Sequence, residues 1–247
     1  MRPSILTAPS LLLVAASACA ASDGADPIRL TVAWNVKLDA QGHVTQLDPI
    51  ANARADRVPK IRERIEQEIR GWSFVPGAVD GVPAATDTIL STTVTLQPGT
   101  GDSFRIIFDD ARTGGRIGKT VFPKYPLAAV KRHETGMVVL RVDYDADGKV
   151  RSAAVDPASP ASAQRLVDAS LEAVRQWTFQ PERVAGHGVP GSQSLPVCFS
   201  LSLVGSHAAI PPCEWNAPGK HAPIGEGESV ALNPAARLVN DVAGHAL

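Results

Sequence analysis

The chain contains 247 residues, of which 44% are hydrophobic, and this is enough for one or two cores and excludes disorder throughout. Lysine and arginine number 24 against 25 acidic residues, so the formal net charge of −1 provides no basic field across the whole chain. We therefore expect no nucleic-acid partner. Glycine and proline contribute 20 residues each and aromatic residues only 5%, which favours short elements with many turns over a large helical fold.

Residues 1–20 have the pattern of an export signal. The small and apolar residues from 11 to 21 form a stretch about half as long as the ~20 residues that cross a bilayer. Cleavage after Ala18 or Ala20 would release a soluble chain, whereas a degenerate lipobox would place a lipid on Cys19 and attach the protein to a membrane. Both alternatives predict a location in the periplasm or the cell envelope.

An internal repeat organises the rest of the chain. Residues 32–44, VAWNVKLDAQGHV, recur as residues 138–150, VVLRVDYDADGKV, and the W-x-F-x-P motif at 72–76 recurs at 177–181. Both copies predict the same order of elements, which is a hairpin of two strands, an amphipathic helix and a third strand.

In the first copy, apolar residues alternate with polar ones up to a turn at residues 39–42 and then resume, which predicts a hairpin. Pro59 suits a first helical position, and isoleucines follow at a spacing of four, which places Ile65 and Ile69 on one buried helix face. Residues 89–96 complete this copy as its third strand.

In the second copy, a short helix at residues 126–133 precedes the hairpin, and Ser159 and Pro160 open the longer helix. The third strand alternates apolar with small residues, and its predicted core face consists of Leu195, Val197, Phe199, Leu201 and Leu203. Cys198 therefore points to the opposite face.

Five motifs in this order resemble the TonB C-terminal domain. They are FPKYP at 122–126, GMVV at 136–139, DADGKV at 145–150, WTFQP at 177–181 and GVP at 188–190. The resemblance implies an α+β fold of two tandem TonB-C-like modules, each a small antiparallel β-β-α-β sheet backed by helices. The expected organisation is a degenerate module at 28–97, a linker at 98–121, the clearer domain at 122–204, and a Pro/Gly-rich tail at 205–247.

In TonB-like energy transducers this domain pairs an edge strand with a segment of an outer-membrane transporter, so that backbone hydrogen bonds supply the recognition. The resemblance therefore implies an exported protein-binding module in transmembrane transport. The expected partner-binding edge strand comprises Pro196, Val197, Cys198, Phe199, Ser200, Leu201 and Ser202. Because no long N-terminal anchor or Pro/Lys-rich spacer precedes the repeat, we expect no direct coupling to an inner-membrane motor. The alternative is a periplasmic or lipoprotein scaffold that self-associates or contacts peptidoglycan.

The motifs that suggest chemistry are incomplete. Residues 143–148, DYDADG, begin like a calcium loop, but Ala154 stands where the twelfth position needs a carboxylate, which favours a hairpin turn. His133 and Glu134 begin like a zinc-protease motif, but Met137 stands where the second histidine is needed. We expect no enzyme activity, no cofactor and no metal site.

Two cysteines remain beyond the signal, Cys198 and Cys213, and their spacing suits a disulfide in an oxidising compartment. This bond would hold the start of the tail over or beside the third strand, either as a structural staple or as a cover for the edge. The end of the tail predicts a short helix from Asn233 to Gly244, which docks on the domain or binds a partner.

Overall fold

The computed structural model describes residues 26–53, 55–99, 103–201 and 212–247. The expected signal, with Cys19, lies outside these residues. The helices are the 3-10 turn Ala55–Arg57 and α1 (Pro59–Ile69), α2 (Leu127–Lys131) and α3 (Gln164–Val174). The strands are β1 (Ile28–Leu38), β2 (Val44–Pro49), β3 (Phe74–Val75), β4 (Ala78–Val79), β5 (Val82–Pro83), β6 (Thr86–Pro98), β7 (Phe104–Gly114), β8 (Arg116–Ile117), β9 (Gly136–Tyr144), β10 (Val150–Val155), β11 (Phe179–Gln180), β12 (Arg183–Val184), β13 (His187–Gly188), β14 (Gly191–Phe199), β15 (Glu214–Trp215), β16 (Ile224–Gly225), β17 (Val230–Ala231) and β18 (Arg237–Leu238).

The first sheet is built around β1. Its strand order is β13-β12-β6-β1-β2, and β7 also pairs with β6. The predicted alternation is confirmed, since one face of β1 buries Val32, Trp34, Val36 and Leu38. Helix α1 begins at Pro59 and packs its fully buried Ile65 and Ile69 into the same core, as the isoleucine spacing predicts.

The second sheet has the strand order β10-β9-β14-β17. Its core joins one face of β14 to α3 and α2, and the predicted inward residues Leu195, Val197 and Phe199 all belong to it. Helix α3 begins at Gln164 and not at Pro160. Ser162, which lies between them, donates a hydrogen bond at 2.6 Å to the carbonyl of Met137 and so ties this segment to β9.

The two sheets have the same connectivity. In each, the first strand pairs antiparallel with the second and the third, so β1 lies between β2 and β6, and β9 lies between β10 and β14. The hairpin turns also correspond, because Gly42 and Gly148 have φ of +84° and +79°. A Cβ atom at either glycine would lie 1.8 Å from a carbonyl oxygen, that of Phe74 or of Phe179, so only glycine fits.

Aspartates hold both turns in the same way. The carboxylates of Asp39 and Asp145 each accept two backbone N–H bonds from their own turn. These backbone hydrogen bonds hold the pKa of both aspartates below their ordinary value. The stretch that begins like a calcium loop is therefore a hairpin turn, and the described residues contain no group of three or more His, Cys, Asp and Glu side chains arranged to hold a metal ion.

The prediction of a linker at residues 98–121 is wrong. The 11-residue strand β7 lies within this segment and pairs with β6 from Ile89 to Pro98. Its inward residues Ile106 and Phe108 are fully buried in the first core. Sequence analysis did not predict β7 because the charged residues Asp109, Asp110 and Arg112 follow Ile106 and Phe108 and interrupt the apolar alternation.

The prediction of a C-terminal helix is also wrong, since residues 212–247 contain strands and turns and no α-helix. Within 233–244, β18 pairs with β3, and Val242 is buried in the first core. An isolated helix of about ten residues is marginal in water. The extended segment buries Ala236 and Val242 in the first core and leaves Val239 exposed, while its backbone pairs with β3.

Candidate functional site

The expected partner-binding strand is β14, but only part of its outer edge lacks a strand partner. Pro196, Val197, Cys198 and Phe199 lie in the strand, Ser200 and Leu201 follow it, and Ser202 lies outside the described residues. On one side β14 pairs with β9 along its whole length. On the other side only Gln193 and Ser194 have strand partners, in β17, among the residues that the structure describes.

The direction of the backbone groups limits what this edge can bind. Ser192 accepts a hydrogen bond from the N–H of Leu232 at 2.8 Å and donates one to Asn233 at 3.0 Å, so its backbone points away from β9. Because orientation alternates along a strand, the backbones of Pro196 and Cys198 point outward as well. Proline has no N–H, so the outward groups beyond β17 are one carbonyl at Pro196 and an N–H and a carbonyl at Cys198.

The disulfide links Cys198 to Cys213, with the Cα atoms 5.9 Å apart. Cys198 lies on the sheet face opposite the second core, as the alternation predicts. Beyond the disulfide, Trp215 and Ile224 pack against Val139 on that same face. The tail therefore covers the back of the second sheet as well as two positions of its edge. A cover for the edge was one of the two alternatives that the sequence left open.

The corresponding edge of the first sheet is filled by the chain itself. The pairs Leu38↔Thr86 and Tyr144↔Gly191 show that β6 and β14 have the same register against their hairpins. In β6 the outer edge is paired with β7 through ten residues, with a β-bulge between Thr93 and Val94. The chain's own strand β7 thus occupies the edge of β6 that an external strand would need. Sequence analysis missed this pairing because it predicted a linker where β7 lies.

Aromatic residues support the second sheet on its core side. Tyr125 packs edge-on against Phe199 at a centroid distance of 5.2 Å, and burial raises its pKa. Tyr144 stacks on Phe179 at 4.7 Å, and burial raises its pKa to about 12. Both phenols stay neutral well above neutral pH, and both ring pairs pack in the second core beneath β14.

Comparison with known proteins identifies this second unit. Residues 122–201 match the family described as Gram-negative bacterial TonB protein C-terminal. This part of the chain is a TonB C-terminal domain. The match occurs once and leaves out residues 28–97, the expected degenerate copy. In the described residues, no helix is long and apolar enough to cross a membrane.

The curated relatives are similar to the chain over the same length. Protein TonB from two strains of Xanthomonas campestris pv. campestris is 38% identical over 80 residues, which cover 32% of this chain and 35% of the relative. Protein tonB2 from Pseudomonas aeruginosa is 34% identical over 80 residues, covering 32% of this chain and 29% of the relative. The match thus spans about a third of each relative. No solved structure gives a significant match to the chain.

Proposed function

We propose that the TonB C-terminal domain of this protein binds an extended segment of an outer-membrane transporter in the periplasm, as part of transmembrane transport. The segment adds as a strand to the outer edge of β14 between Pro196 and Leu201. The proposal depends on one observation. The backbone groups of Pro196 and Cys198 point outward and have no strand partner among the described residues, and they lie in the part of the chain that matches the TonB family.

The short edge sets the strength of this contact. Three outward groups remain beyond Ser194, and each neutral hydrogen bond contributes about 0.5–1.5 kcal/mol. The ladder alone therefore gives roughly 1.5–4.5 kcal/mol, which corresponds to a Kd of about half a millimolar at best. We infer a transient contact whose remaining strength comes from side chains around the edge.

Nuclear magnetic resonance with a synthetic peptide from the extended N-terminal segment of an outer-membrane transporter tests the proposal. The amide signals of Cys198 and Phe199 should shift on titration, because their strand gains a neighbour. Shifts confined to residues 150–155, or none at saturating peptide, would contradict binding at β14.

The tail offers a matched pair of variants for the same titration. Asn233→Ala removes the acceptor of the Ser192 N–H and so weakens the hold of β17 on Gln193 and Ser194; a peptide that then reaches Ser194 should bind about fivefold tighter, the effect of one hydrogen bond. Asn216→Ala is the control, since Asn216 is exposed in the same tail and its side chain forms no hydrogen bond with β14 in the described structure. Equal peptide affinities for the two variants would show that the tail does not limit access to the edge and has only a structural role.

The second candidate is a scaffold that self-associates without a transporter. It is favoured by β10, the other border of the second sheet, whose outer side has no strand partner in the described residues and whose Val155 is 42% exposed. In the titration above, this candidate predicts perturbed β10 signals that depend on protein concentration and not on peptide.

We also propose that residues 28–97 are a degenerate copy of the same domain. The shared connectivity, the shared register and the paired turn glycines support this. Since β7 already pairs with the outer edge of β6, we expect the first copy to take no external strand there.

A further inference from the structure

The segment that leads into the TonB C-terminal domain concentrates positive charge. Residues 111–133 contain six lysine and arginine residues and no aspartate or glutamate, although the whole chain is nearly neutral. Four of these cations are exposed, namely Lys119 before the domain and Lys124, Lys131 and Arg132 at its start. Their side chains form no ion pair with any residue that the structure describes.

Two large apolar side chains project from the same segment. Phe122 is 79% exposed and Leu127 is 78% exposed, the highest values among the large hydrophobic residues described. Their neighbours Val121 and Tyr125 pack against the second core, and Ala129 of α2 is fully buried in it. The backbone is therefore anchored while the tips of Phe122 and Leu127 point into solvent.

Phe122 and Leu127 protrude from this surface. The clefts of about 440, 230 and 210 Å³ in the described part of the chain are lined by other residues. A peptide that binds through apolar anchors needs a groove to receive them, whereas here the anchors belong to the protein and protrude. A lipid interface accepts protruding apolar groups and places anionic headgroups beside the surrounding lysines.

We propose that residues 119–132 bind the surface of a membrane that contains anionic phospholipid. Phe122 and Leu127 enter the interface, and the four cations contact the headgroups. Tyr125, beneath this surface, contacts Phe199, so a membrane-bound domain holds the end of β14 close to the bilayer. The proposal does not depend on strand addition at β14.

Vesicle co-sedimentation tests it, with vesicles of phosphatidylglycerol and phosphatidylcholine in equal parts and vesicles of phosphatidylcholine alone. Every protein carries Cys19→Ser, so that no attached lipid contributes. Lys124→Gln with Lys131→Gln should lower the partition coefficient on anionic vesicles about 30-fold, since each cation near the surface contributes about fivefold. The charge-matched control, Lys60→Gln with Lys149→Gln, changes exposed lysines elsewhere and should retain binding.

The apolar pair is tested separately. Phe122→Ser with Leu127→Ser should lower the partition coefficient roughly tenfold or more, because less apolar surface leaves water. Its circular dichroism and melting temperature should match the wild type, since both side chains are almost fully exposed. Absence of binding to anionic vesicles, or equal losses in the lysine variant and its control, would overturn the proposal. Binding to a glutamate-rich peptide in place of vesicles would overturn it as well and would assign the surface to an acidic protein segment.

Discussion

Replacing Glu182 by glutamine should destabilise the fold, because the Glu182 carboxylate joins three parts of the chain. It is 5% exposed and accepts hydrogen bonds from Thr88 Oγ1 at 2.6 Å and from the N–H groups of Ala235 and Ala236 at 2.5 and 3.2 Å. Glutamine has one acceptor oxygen. The Thr88 hydroxyl can reverse its role, but a backbone N–H cannot, so one of the two alanine N–H groups loses its acceptor. The expected loss in free energy of unfolding is about 1–3 kcal/mol.

The effect should depend on pH. Burial raises the pKa of Glu182 above its ordinary value of 4.5, although its three hydrogen bonds act in the opposite direction. The folded state then binds a proton more readily than the unfolded state, so this group makes the wild type more stable as the pH falls from above the raised pKa toward 4.5. Glutamine does not titrate, so the stability difference between wild type and variant should widen over that range.

Urea denaturation at a series of pH values measures both effects. Glu172→Gln, on the exposed side of α3, is the control and should leave the unfolding midpoint within experimental error. Equal midpoints for Glu182→Gln and Glu172→Gln at neutral pH would refute the assigned hydrogen bonds. A stability difference that narrows as the pH falls would refute the raised pKa.

Three further outcomes are expected. Ile65→Asp buries an unpaired charge and should unfold the first sheet, while Arg64→Ala on the exposed side of α1 should change the melting temperature little; equal shifts would show that the assigned face is wrong. Gly148→Ala should destabilise clearly more than Gly219→Ala, because both have positive φ but only at Gly148 does the new Cβ meet a carbonyl oxygen, at 1.8 Å; similar unfolding midpoints would contradict this geometry. Tyr144, with its pKa at about 12, should resist ultraviolet titration near pH 10, and stability should fall as the pH rises from 10 toward 12; ionisation of both tyrosines at pH 10 in the folded protein would contradict its burial.

Periodicity and repetition predict the parts of this fold that depend on local pattern. The isoleucine spacing places Ile65 and Ile69 correctly because a helix buries one stripe of side chains. The alternation along β14 places Leu195 and Val197 correctly because a strand buries every second residue. These features follow from the geometry of a single element, so its own residues suffice to predict them.

The missed elements depend on distant partners. In β7 the charged Asp110 and Arg112 are nevertheless buried, because they pair with each other at 3.3 Å and Arg112 also pairs with Glu228 of the tail at 3.3 Å. In the tail, the spacing of Leu238 and Val242 is compatible with a helix but also with the extended docking that the structure shows. Contacts more than a hundred residues apart decide between such alternatives, and no local pattern encodes them.

The strand proposed as the binding edge was predicted in part for the same reason. Residues 195–199 of β14 were predicted as a strand, its first four residues were not, and the predicted disulfide from Cys198 to Cys213 is present. The pairing of Ser194 with Val230, which shortens the available edge, connects segments that share no motif. Pro196 has no N–H, but the sequence alone does not show whether this matters for the outer edge. The strand register answers this, because it shows that the backbone of Pro196 points outward.

Disulfide trapping at Cys198 tests strand addition to β14 most directly. In a Cys213→Ser chain the thiol of Cys198 is unpaired, and a transporter peptide carrying one cysteine at each successive position is offered to it. Side chains of paired strands meet only on the same face, so capture should occur at alternate peptide positions and fade within a few residues of one centre. Uniform capture along the peptide, or none, would contradict strand addition to β14.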